Sequence, residues 1–250
     1  MAKVSILMNC YNGEKYLHQA IDSVFAQTFT DWQIIFVDNC SVDKSAEIAA
    51  SYGEKVKTVT TDKNIPLYAA RNFGLQHIGD SEFVAFLDVD DLWTADKLEK
   101  QLAKYQDDIA MVCSKIKAID DKGDEIAVEF PKLHRGWVTQ KLLLSNFIAI
   151  SASIVRASVL KEELFDPQYN LLGDYDLWLR LSVNHKFDYV DEYLFIQRHH
   201  DQNLTKKAKG RWIKEMRSHY KSFFDKYKFR YPNIFLLMLK CEAGNAFGRY

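Results

Sequence analysis

Acidic side chains concentrate in one short stretch, Asp88-Val89-Asp90-Asp91, directly after the apolar run Phe83-Val84-Ala85-Phe86-Leu87. Three carboxylates within four residues repel one another and are costly to hold together unless a cation neutralises them. Hard divalent ions take oxygen ligands, and Mg²⁺ typically bridges one or two carboxylates and substrate phosphates. The stretch therefore indicates an enzyme that handles a metal-bound nucleotide.

Two further apolar runs also end in polar residues. Val4–Met8 leads into Asn9-Cys10-Tyr11-Asn12, and Gln33–Val37 leads into Asp38-Asn39-Cys40-Ser41. Near-continuous apolar runs are typical of parallel strands that are buried on both faces. Ligands of open α/β sheets bind just outside the carboxyl ends of such strands. The polar segments are therefore candidates for one ligand site.

Apolar spacing defines the elements that must position these residues. The pattern predicts strands at 4–8, 33–37, 56–59 and 83–87, alternating with helices at 14–26, 44–52 and 67–78. This order predicts a parallel sheet with right-handed crossovers. Further along, it predicts strands at 109–112, 116–119, 126–130, 148–155, 187–190 and 193–197, and helices at 96–105, 175–183, 207–227 and 231–246.

Charge is unevenly distributed in these 250 residues, although the formal net charge is only −1. Residues 206–250 hold 12 basic and three acidic side chains, whereas the first 205 residues are net acidic. We predict a main domain over 1–205 and a basic amphipathic helical region over 206–250. Such a helix can lie on an anionic membrane, or it can pack its apolar stripe on the main domain or another subunit, which is the favoured interpretation. Nucleic acid is not an expected partner, because the rest of the chain is acidic.

Cysteine usage and hydropathy limit the location. The cysteines at positions 10, 40, 113 and 241 form no metal-binding pair and no disulfide framework, which favours reduced thiols. The first apolar run is too short for a signal peptide, and no run approaches the ~18 apolar residues of a membrane span. We expect a cytoplasmic protein, at most attached to the inner face of the membrane.

Several segments, taken together and in order, resemble the family 2 glycosyltransferases, which have the GT-A fold. The resemblance runs from Val4 to about Thr205 and includes Val4–Gly13, Ser23–Phe29, Val37–Asp43, Ala70–Gly74, Phe86–Asp91, Gly173–Arg180 and Arg198–His200. It implies an α/β GT-A fold, with a Rossmann-like, mostly parallel mixed sheet flanked by helices and a C-terminal helical appendage. It also implies transfer, with inversion, of a hexose or N-acetylhexosamine from a nucleotide-diphosphate sugar to a hydroxyl of a glycan, glycolipid or glycoprotein.

The resemblance assigns the acidic stretch to the metal and the ribose of the donor. Asp91 is the expected direct metal ligand, Asp90 approaches the ribose or the metal, and Asp88 supports the loop or reaches the ribose hydroxyl. His200, in Arg198-His199-His200, is a metal ligand or a phosphate donor, and Arg198 belongs to a segment that closes over the pyrophosphate. The expected cofactor is Mn²⁺ or Mg²⁺, and imidazole ligation is more readily accepted by manganese.

Other positions match the nucleotide-binding part of the family. Asp38 and Asn39 stand where the family usually carries two aspartates, one of which pairs with uracil, so a UDP-sugar is favoured while cytosine and guanine stay open. Asn9 and Tyr11 are expected to bracket the base, although Tyr11 could equally be a core aromatic. Arg71 is expected to contact the nucleotide or its phosphates, since guanidinium groups offer forked donors to phosphate oxygens.

Asp174 matches the family's catalytic base, which takes the proton from the incoming hydroxyl. It lies where a glycine turn opens a helix, so it could also serve as a cap. The family often has Glu before this base, whereas this chain has Gly173. On the same helix, Asp176 and Arg180 are four residues apart and are expected to form a structural pair.

Two other functions are compatible with parts of this pattern. Nucleotidyl transfer onto a sugar phosphate would usually require a Gly-rich, basic loop after the first strand, and Asn9–Gly13 offers none. A non-catalytic nucleotide-sugar-binding or scaffolding subunit is supported only by Asn39 and by the missing Glu before Asp174. A homo-oligomer or a peripheral membrane contact through the C-terminal region is compatible with each.

Overall fold

The computed structural model describes residues 2–203, 209–231 and 234. Within these residues, one mixed sheet runs through the molecule. Its strands are β1 Val4–Cys10, β2 Trp32–Asp38, β3 Val56–Thr60, β4 Phe83–Phe86, β5 Leu92–Trp93, β6 Ile109–Ile119, β7 Glu125–Ile126, β8 Ile154–Arg156 and β9 Lys186–Arg198. The helices are α1 Glu14–Phe25, α2 Ser45–Ala50, α3 Leu67–Leu75, α4 Lys97–Leu102, α5 Thr139–Leu144, α6 Ala157–Glu162, α7 Gly173–Ser182 and α8 Lys209–Tyr227, with a 3₁₀ turn at Ile150–Ala152.

The strand order is β3-β2-β1-β4-β8-β6-β9-β5, with β7 beside β6. The first four strands are parallel, as the sequence predicts. β8 is antiparallel to both β4 and β6, whereas β6 and β9 are parallel. The chain passes from β1 to one side of the sheet through β2 and β3, then returns to the other side of β1 through β4. This reversal of strand order opens a crevice at the carboxyl ends of β1 and β4, where ligands of α/β sheets bind.

Both faces of the parallel strands are buried. On β2, Ile34 and Phe36 belong to one hydrophobic cluster, while Ile35 and Val37 belong to the other. Helices α1, α2 and α4 cover the first face, and α3, α7 and α8 cover the second. On α3, a Cβ at Gly74 would lie 2.3 Å from Leu7 Cδ1, so glycine allows this helix to pack directly on the sheet.

The second half of the chain differs from the sequence prediction in its strand lengths. The predicted strands at 109–112 and 116–119 form one continuous strand, β6, and those at 187–190 and 193–197 form β9. The two strands pair along their length, with irregularities near Ser114 and Lys115. Such bulges admit polar residues without ending a strand. The predicted strand at 148–155 is reduced to β8 after the 3₁₀ turn.

The described part of the C-terminal region packs on the main sheet. Met216, Tyr220 and Phe223 of α8 are buried within the cluster that contains α3 and α7. The basic side chains lie on the opposite, exposed face, at 211, 214, 217 and 221. Apart from Tyr231 and Ile234, the predicted helix at 231–246 lies outside the described residues, as does the predicted boundary at 205. No helix of the described residues has the length and apolar character needed to cross a membrane.

Candidate active site

The loops after β1 and β2 are joined into one surface at the carboxyl edge of the sheet. Asn12 adopts a φ of 56°, a left-handed conformation that asparagine accepts better than most residues. Its N–H donates to Ser41 Oγ at 3.0 Å, and its Oδ1 accepts from the N–H of Val42 at 2.9 Å. These reciprocal bonds hold the segment after β1, which begins near Asn9 and includes Tyr11, against the segment after β2, which begins at Asp38 and Asn39.

Asn39 is buried and its amide is used within the protein. Its Oδ1 accepts from the Thr61 hydroxyl and from the N–H of Ile65, both at 3.0 Å, and its Nδ2 donates to Ile65 O at 2.8 Å. The amide therefore shapes the 61–65 loop. Asp38 is also buried, and its Oδ1 accepts from the N–H of Ser41 at 3.0 Å. The remaining carboxylate oxygen of Asp38 has no hydrogen-bond partner among the described residues.

Asn9 lies near the end of β1 and Tyr11 directly follows this strand. Asn9 Nδ2 lies 3.4 Å from Leu67 O, while its buried Oδ1 has no partner within the described residues. Tyr11 is 55% exposed, which excludes the core interpretation left open by the sequence. An exposed aromatic ring beside buried polar atoms is suited to stacking on a planar ligand.

Arg71 lies beneath the acidic loop rather than on the surface. It is 4% exposed, and its Nη2 donates to Asp88 Oδ1 at 2.7 Å. The guanidinium also lies 5.1 Å from the ring of Tyr68. Burial alone would lower the pKa of Arg71, but Asp88, Tyr68 and Asp174 outweigh it and raise that pKa. Arg71 therefore stays charged and orients Asp88.

Asp90 and His200 meet although they are far apart in the sequence. His200 Nε2 lies 2.9 Å from Asp90 Oδ2, and Asn203 Nδ2 lies 3.3 Å from the same oxygen. Two bonds of about 2.1 Å at a right angle would place neighbouring ligands of an octahedral ion about 3 Å apart. The pair therefore fits two adjacent positions around one divalent cation. The described residues contain no cluster of three or more His, Cys, Asp or Glu side chains at such a site, so phosphates and water would supply the other ligands.

Asp91 and Arg198, two further predicted site residues, are buried together. Asp91 Oδ1 accepts from the N–H of Arg198 at 3.0 Å, while Arg198 Nε donates to Asp90 O at 3.2 Å and Nη2 to Gln19 Oε1 at 2.6 Å. Arg198 is only 3% exposed. Burial, with the charges of Asp90 and Asp88, raises the pKa of Asp91 well above its usual value. In this geometry Asp91 and Arg198 fix the acidic loop through bonds within the protein.

Asp174 occupies the second position of α7, close enough to Arg71 and Asp88 for their charges to act on its carboxylate. The Tyr68 hydroxyl lies 3.3 Å from Asp174 Oδ1, and the N–H of Tyr175 donates to the same oxygen at 2.8 Å. Burial raises the pKa of Asp174 above its usual value, while Arg71 and the bond from Tyr68 act in the opposite direction. A carboxylate with a raised pKa is a better proton acceptor.

Tyr68 was not among the residues chosen from the sequence. A Cβ on Gly173 would lie 2.4 Å from the Tyr68 ring, so the aromatic ring occupies the space next to the catalytic candidate. Because Gly173 has no side chain, the Tyr68 ring can pack directly against the start of α7. Helix spacing could have identified Tyr68, since it lies three residues before Arg71 and thus on the same face of α3.

Comparison with known proteins identifies the family of the chain. The model of Glycosyl transferase family 2 matches residues 5–162, well over half of the chain. The chain belongs to glycosyl transferase family 2. An uncharacterised glycosyltransferase of Methanocaldococcus jannaschii is 32% identical to the chain over 201 residues, covering 76% of this chain and 69% of its own length. The chain spans 66% of the length of two further uncharacterised glycosyltransferases from Rickettsia.

Relatives of known name and solved structure are also glycosyltransferases. The Escherichia coli UDP-Glc:alpha-D-GlcNAc-diphosphoundecaprenol beta-1,3-glucosyltransferase WfgD is 26% identical over 217 residues, covering 84% of this chain and 83% of its own. Staphylococcus aureus TarS in complex with UDP-GlcNAc superposes with a TM-score of 0.78 at 19% identity, covering 98% of this chain and 73% of TarS. The Pyrobaculum calidifontis mannosyltransferase in complex with GDP-Man and Mn²⁺ gives 0.69 at 14% identity, covering 96% and 69%.

These findings confirm the predicted family and the GT-A fold of this glycosyltransferase. The roles of individual residues stay predictions. Of the predicted site residues, the structure brings Arg71 to Asp88 and His200 to Asp90 at the carboxyl edge, with Asp174 against Tyr68 of the helix that carries Arg71. Asn9, Tyr11 and Asp38 lie at the paired ends of β1 and β2. Asn39, Asp91 and Arg198 are engaged in holding the loops themselves.

Proposed function

We propose that this family 2 chain transfers a hexose or N-acetylhexosamine, with inversion, from a metal-bound nucleotide-diphosphate sugar to a hydroxyl of a carbohydrate acceptor. In this reaction Asp174 accepts the proton of the incoming hydroxyl while the oxygen of that hydroxyl bonds to the anomeric carbon. At the same time the bond from that carbon to the diphosphate breaks, and the nucleoside diphosphate leaves. The base and the leaving group must therefore lie on opposite sides of the sugar.

One observation carries the proposal: a single turn of α3 separates two carboxylate sites. Tyr68 contacts Asp174 at 3.3 Å, and Arg71, three residues later, contacts Asp88 at 2.7 Å. The proton acceptor and the acidic loop are thus held by one helix, which also carries the buried positive charge of Arg71. This arrangement supports displacement of a diphosphate on one side by a hydroxyl that is deprotonated on the other.

Asp90 and His200 are the residues that we propose hold the divalent cation. When bound, the ion would neutralise the negative charge that develops on the departing diphosphate. The mixture of a carboxylate and an imidazole favours Mn²⁺ over Mg²⁺, and the Pyrobaculum mannosyltransferase was solved with Mn²⁺. The predicted role of Asp91 as a direct metal ligand stays a prediction, because its bond to the Arg198 N–H uses only one of its two carboxylate oxygens.

For the donor, we propose a UDP-sugar read by Asp38, with Tyr11 stacking on the base. The unpartnered oxygen of Asp38 suits the N3–H of uracil, whereas the Asn39 amide is already used by Thr61 and Ile65. The complex of TarS with UDP-GlcNAc supports uracil. For the acceptor, a lipid-linked glycan is favoured by the name of WfgD.

The test is sugar transfer by the purified chain with a panel of UDP- and GDP-sugars and Mn²⁺. Nucleotides are first ranked by the rise in melting temperature that they cause, because ligands of the native state stabilise it by mass action. We expect UDP to give the largest rise and Asp174→Asn to reduce transfer by about 10³-fold or more, the upper range for removing a general base. Asp107→Asn, an exposed aspartate far from the site, should keep wild-type activity.

Product stereochemistry provides a second check. An inverted anomeric configuration, read by NMR of the product, is expected for single displacement. Binding of a nucleotide sugar without transfer to any acceptor and without hydrolysis would favour the scaffolding alternative. Wild-type activity of Asp174→Asn would contradict the assignment of the base.

A further inference from the structure

Helix α8 carries polar side chains on its buried face. Met216, Tyr220 and Phe223 supply its apolar contacts, but Glu215 is only 8% exposed and His219 is fully buried. A buried carboxylate is costly unless it receives hydrogen bonds. The partners of these two side chains therefore show what the polar part of the interface does.

Glu215 receives its hydrogen bonds from three consecutive backbone N–H groups. Asn170 N lies 3.1 Å from each carboxylate oxygen, and Leu171 N and Leu172 N lie 2.9 and 3.2 Å from Oε2. This segment leads directly into α7, which begins at Gly173 and carries Asp174 as its second residue. The backbone on the N-terminal side of the proposed base is thus anchored by a side chain more than 40 residues away.

His219 forms a second anchor on the other side of Asp174. Its Nδ1 lies 3.0 Å from Asp176 Oδ1, while Asp176 Oδ2 accepts from Arg180 Nε at 2.8 Å. The N–H of Asp176 also donates to Leu172 O at 2.8 Å. Asp176 and Arg180 form the pair that the sequence predicts, and α8 supplies the third member. The two anchors flank Asp174 within a span of a few residues.

From these contacts we propose that Glu215 and His219 are positioning residues for the proposed catalytic base, so that α8 contributes to the reaction through these two side chains. This inference rests on the proposed function, because it assigns α8 a role through Asp174. Apolar packing alone would dock the helix, and buried charged contacts contribute little net stability compared with apolar ones. Their contribution is to define one position of the 170–176 backbone. A displacement of about 1 Å at a reacting group can cost about 10²-fold in rate.

The experiment compares Glu215→Gln and Glu215→Ala with two matched variants of the same helix. Asp225→Asn removes an acidic charge from the exposed face, and Phe223→Leu weakens apolar docking but leaves both anchors in place. Transfer kinetics are measured well below the melting temperature of every variant, together with hydrogen exchange of the backbone amides at 170–176.

We expect kcat to fall about tenfold in Glu215→Gln, which keeps one acceptor oxygen, and about 10²-fold in Glu215→Ala. The KM for the donor should stay within about twofold, because the acidic loop and its anchors are untouched. Exchange should accelerate at 170–172 in both variants. Asp225→Asn should match the wild type, and Phe223→Leu should lower the melting temperature while keeping kcat within about twofold.

Two results would overturn the proposal. One is unchanged exchange at 170–172 in Glu215→Ala, which would show that the carboxylate does not hold this segment. The other is equal loss of kcat in Phe223→Leu and Glu215→Ala at matched loss of stability, which would reduce the anchors to general packing. If the wild-type chain transfers no sugar but exchange still accelerates in Glu215→Ala, the anchors stand as structure and the catalytic role of α8 fails together with the proposed function.

Discussion

The donor half of the molecule, β1–β4 with their loops, and the acceptor half, β6–β9 with α5–α8, position their functional groups in different ways. In the donor half, parallel strands in register bring polar loops to one edge, and Arg71 holds Asp88 from a neighbouring segment, while Arg198 and His200 bond to the acidic loop from the end of β9. In the acceptor half, Asp174 depends on Tyr68 from the donor half and on the anchors from α8. The sheet therefore positions most of the proposed donor-binding residues, whereas the position of the proposed base depends on contacts from α3 and α8. Substitutions in the donor half should change affinity, and substitutions around Asp174 should change rate.

The largest rate effect outside Asp174 itself is expected at Gly173. In Gly173→Ala, the new Cβ would lie 2.4 Å from the Tyr68 ring, so the ring or the start of α7 must move. We expect kcat to fall about 10²-fold with the donor KM nearly unchanged, measured by steady-state transfer. The double variant Gly173→Ala with Tyr68→Leu should raise the activation free energy, calculated from kcat, by less than the sum of the increases in the two single variants, because the clash is removed. Strict additivity would show that the two positions are not coupled.

The next largest effect concerns the metal in the donor half. Asp90→Asn should weaken Mn²⁺ binding in the presence of UDP by about tenfold or more, because it removes a proposed ligand. Asp91→Ala should mainly lower the melting temperature, since it removes the oxygen that accepts the hydrogen bond from the Arg198 backbone. Calorimetric titration and thermal unfolding separate the two. If the change at Asp91 weakened Mn²⁺ binding while the change at Asp90 did not, Asp91 would be the direct metal ligand predicted from the sequence.

A smaller change, in the pH profile, is expected from Tyr68→Phe. The hydroxyl stabilises the ionised form of Asp174, so its loss should raise the pKa of Asp174 further above its usual value. Activity requires the ionised carboxylate and is lost as the pH falls through that pKa, so the acid limb of kcat should move to higher pH. Loss of one hydrogen bond should reduce the plateau rate by about two- to tenfold. An unshifted acid limb would assign that limb to another group.

The smallest effect is expected at Asn39. Asn39→Asp should keep the bonds from Thr61 and Ile65 but place an acceptor against Ile65 O, where the amide donates at 2.8 Å. The melting temperature should fall by a few degrees, since each kcal/mol corresponds to about 2–4 °C in a chain of this size. The order of nucleotides ranked by thermal stabilisation should stay the same. A changed order would return base recognition to position 39.

The sequence predicted the donor half more accurately than the acceptor half, for a physical reason. Runs such as Val4–Met8 and Gln33–Val37 are buried on both faces, so their composition alone marks strands and their polar ends mark the edge. Strands β6 and β9 tolerate Ser114, Lys115, Asp191 and Glu192 because they bend and bulge, and the sequence interpretation ended strands there.

Side-chain partners were the least predictable part. Nothing local indicates that Asn39 turns inward to the 61–65 loop, that Arg198 is buried, or that Glu215 meets the backbone before α7. Each depends on which segments the fold brings together. Asp176 with Arg180 was predictable because it follows from helix spacing alone.

The position of Arg198 late in the chain determines which parts of the protein can fold first during translation. The four parallel strands need only the first 86 residues, so they can begin to form while the rest of the chain is still on the ribosome. The acidic loop, however, obtains its bonds to the Arg198 backbone, guanidinium and neighbouring His200 only when the end of β9 has emerged. A nascent chain arrested before residue 198 should therefore carry the parallel strands β1–β4 without the bonds that fix the acidic loop, so the proposed capture of a metal-bound nucleotide should arise late in translation.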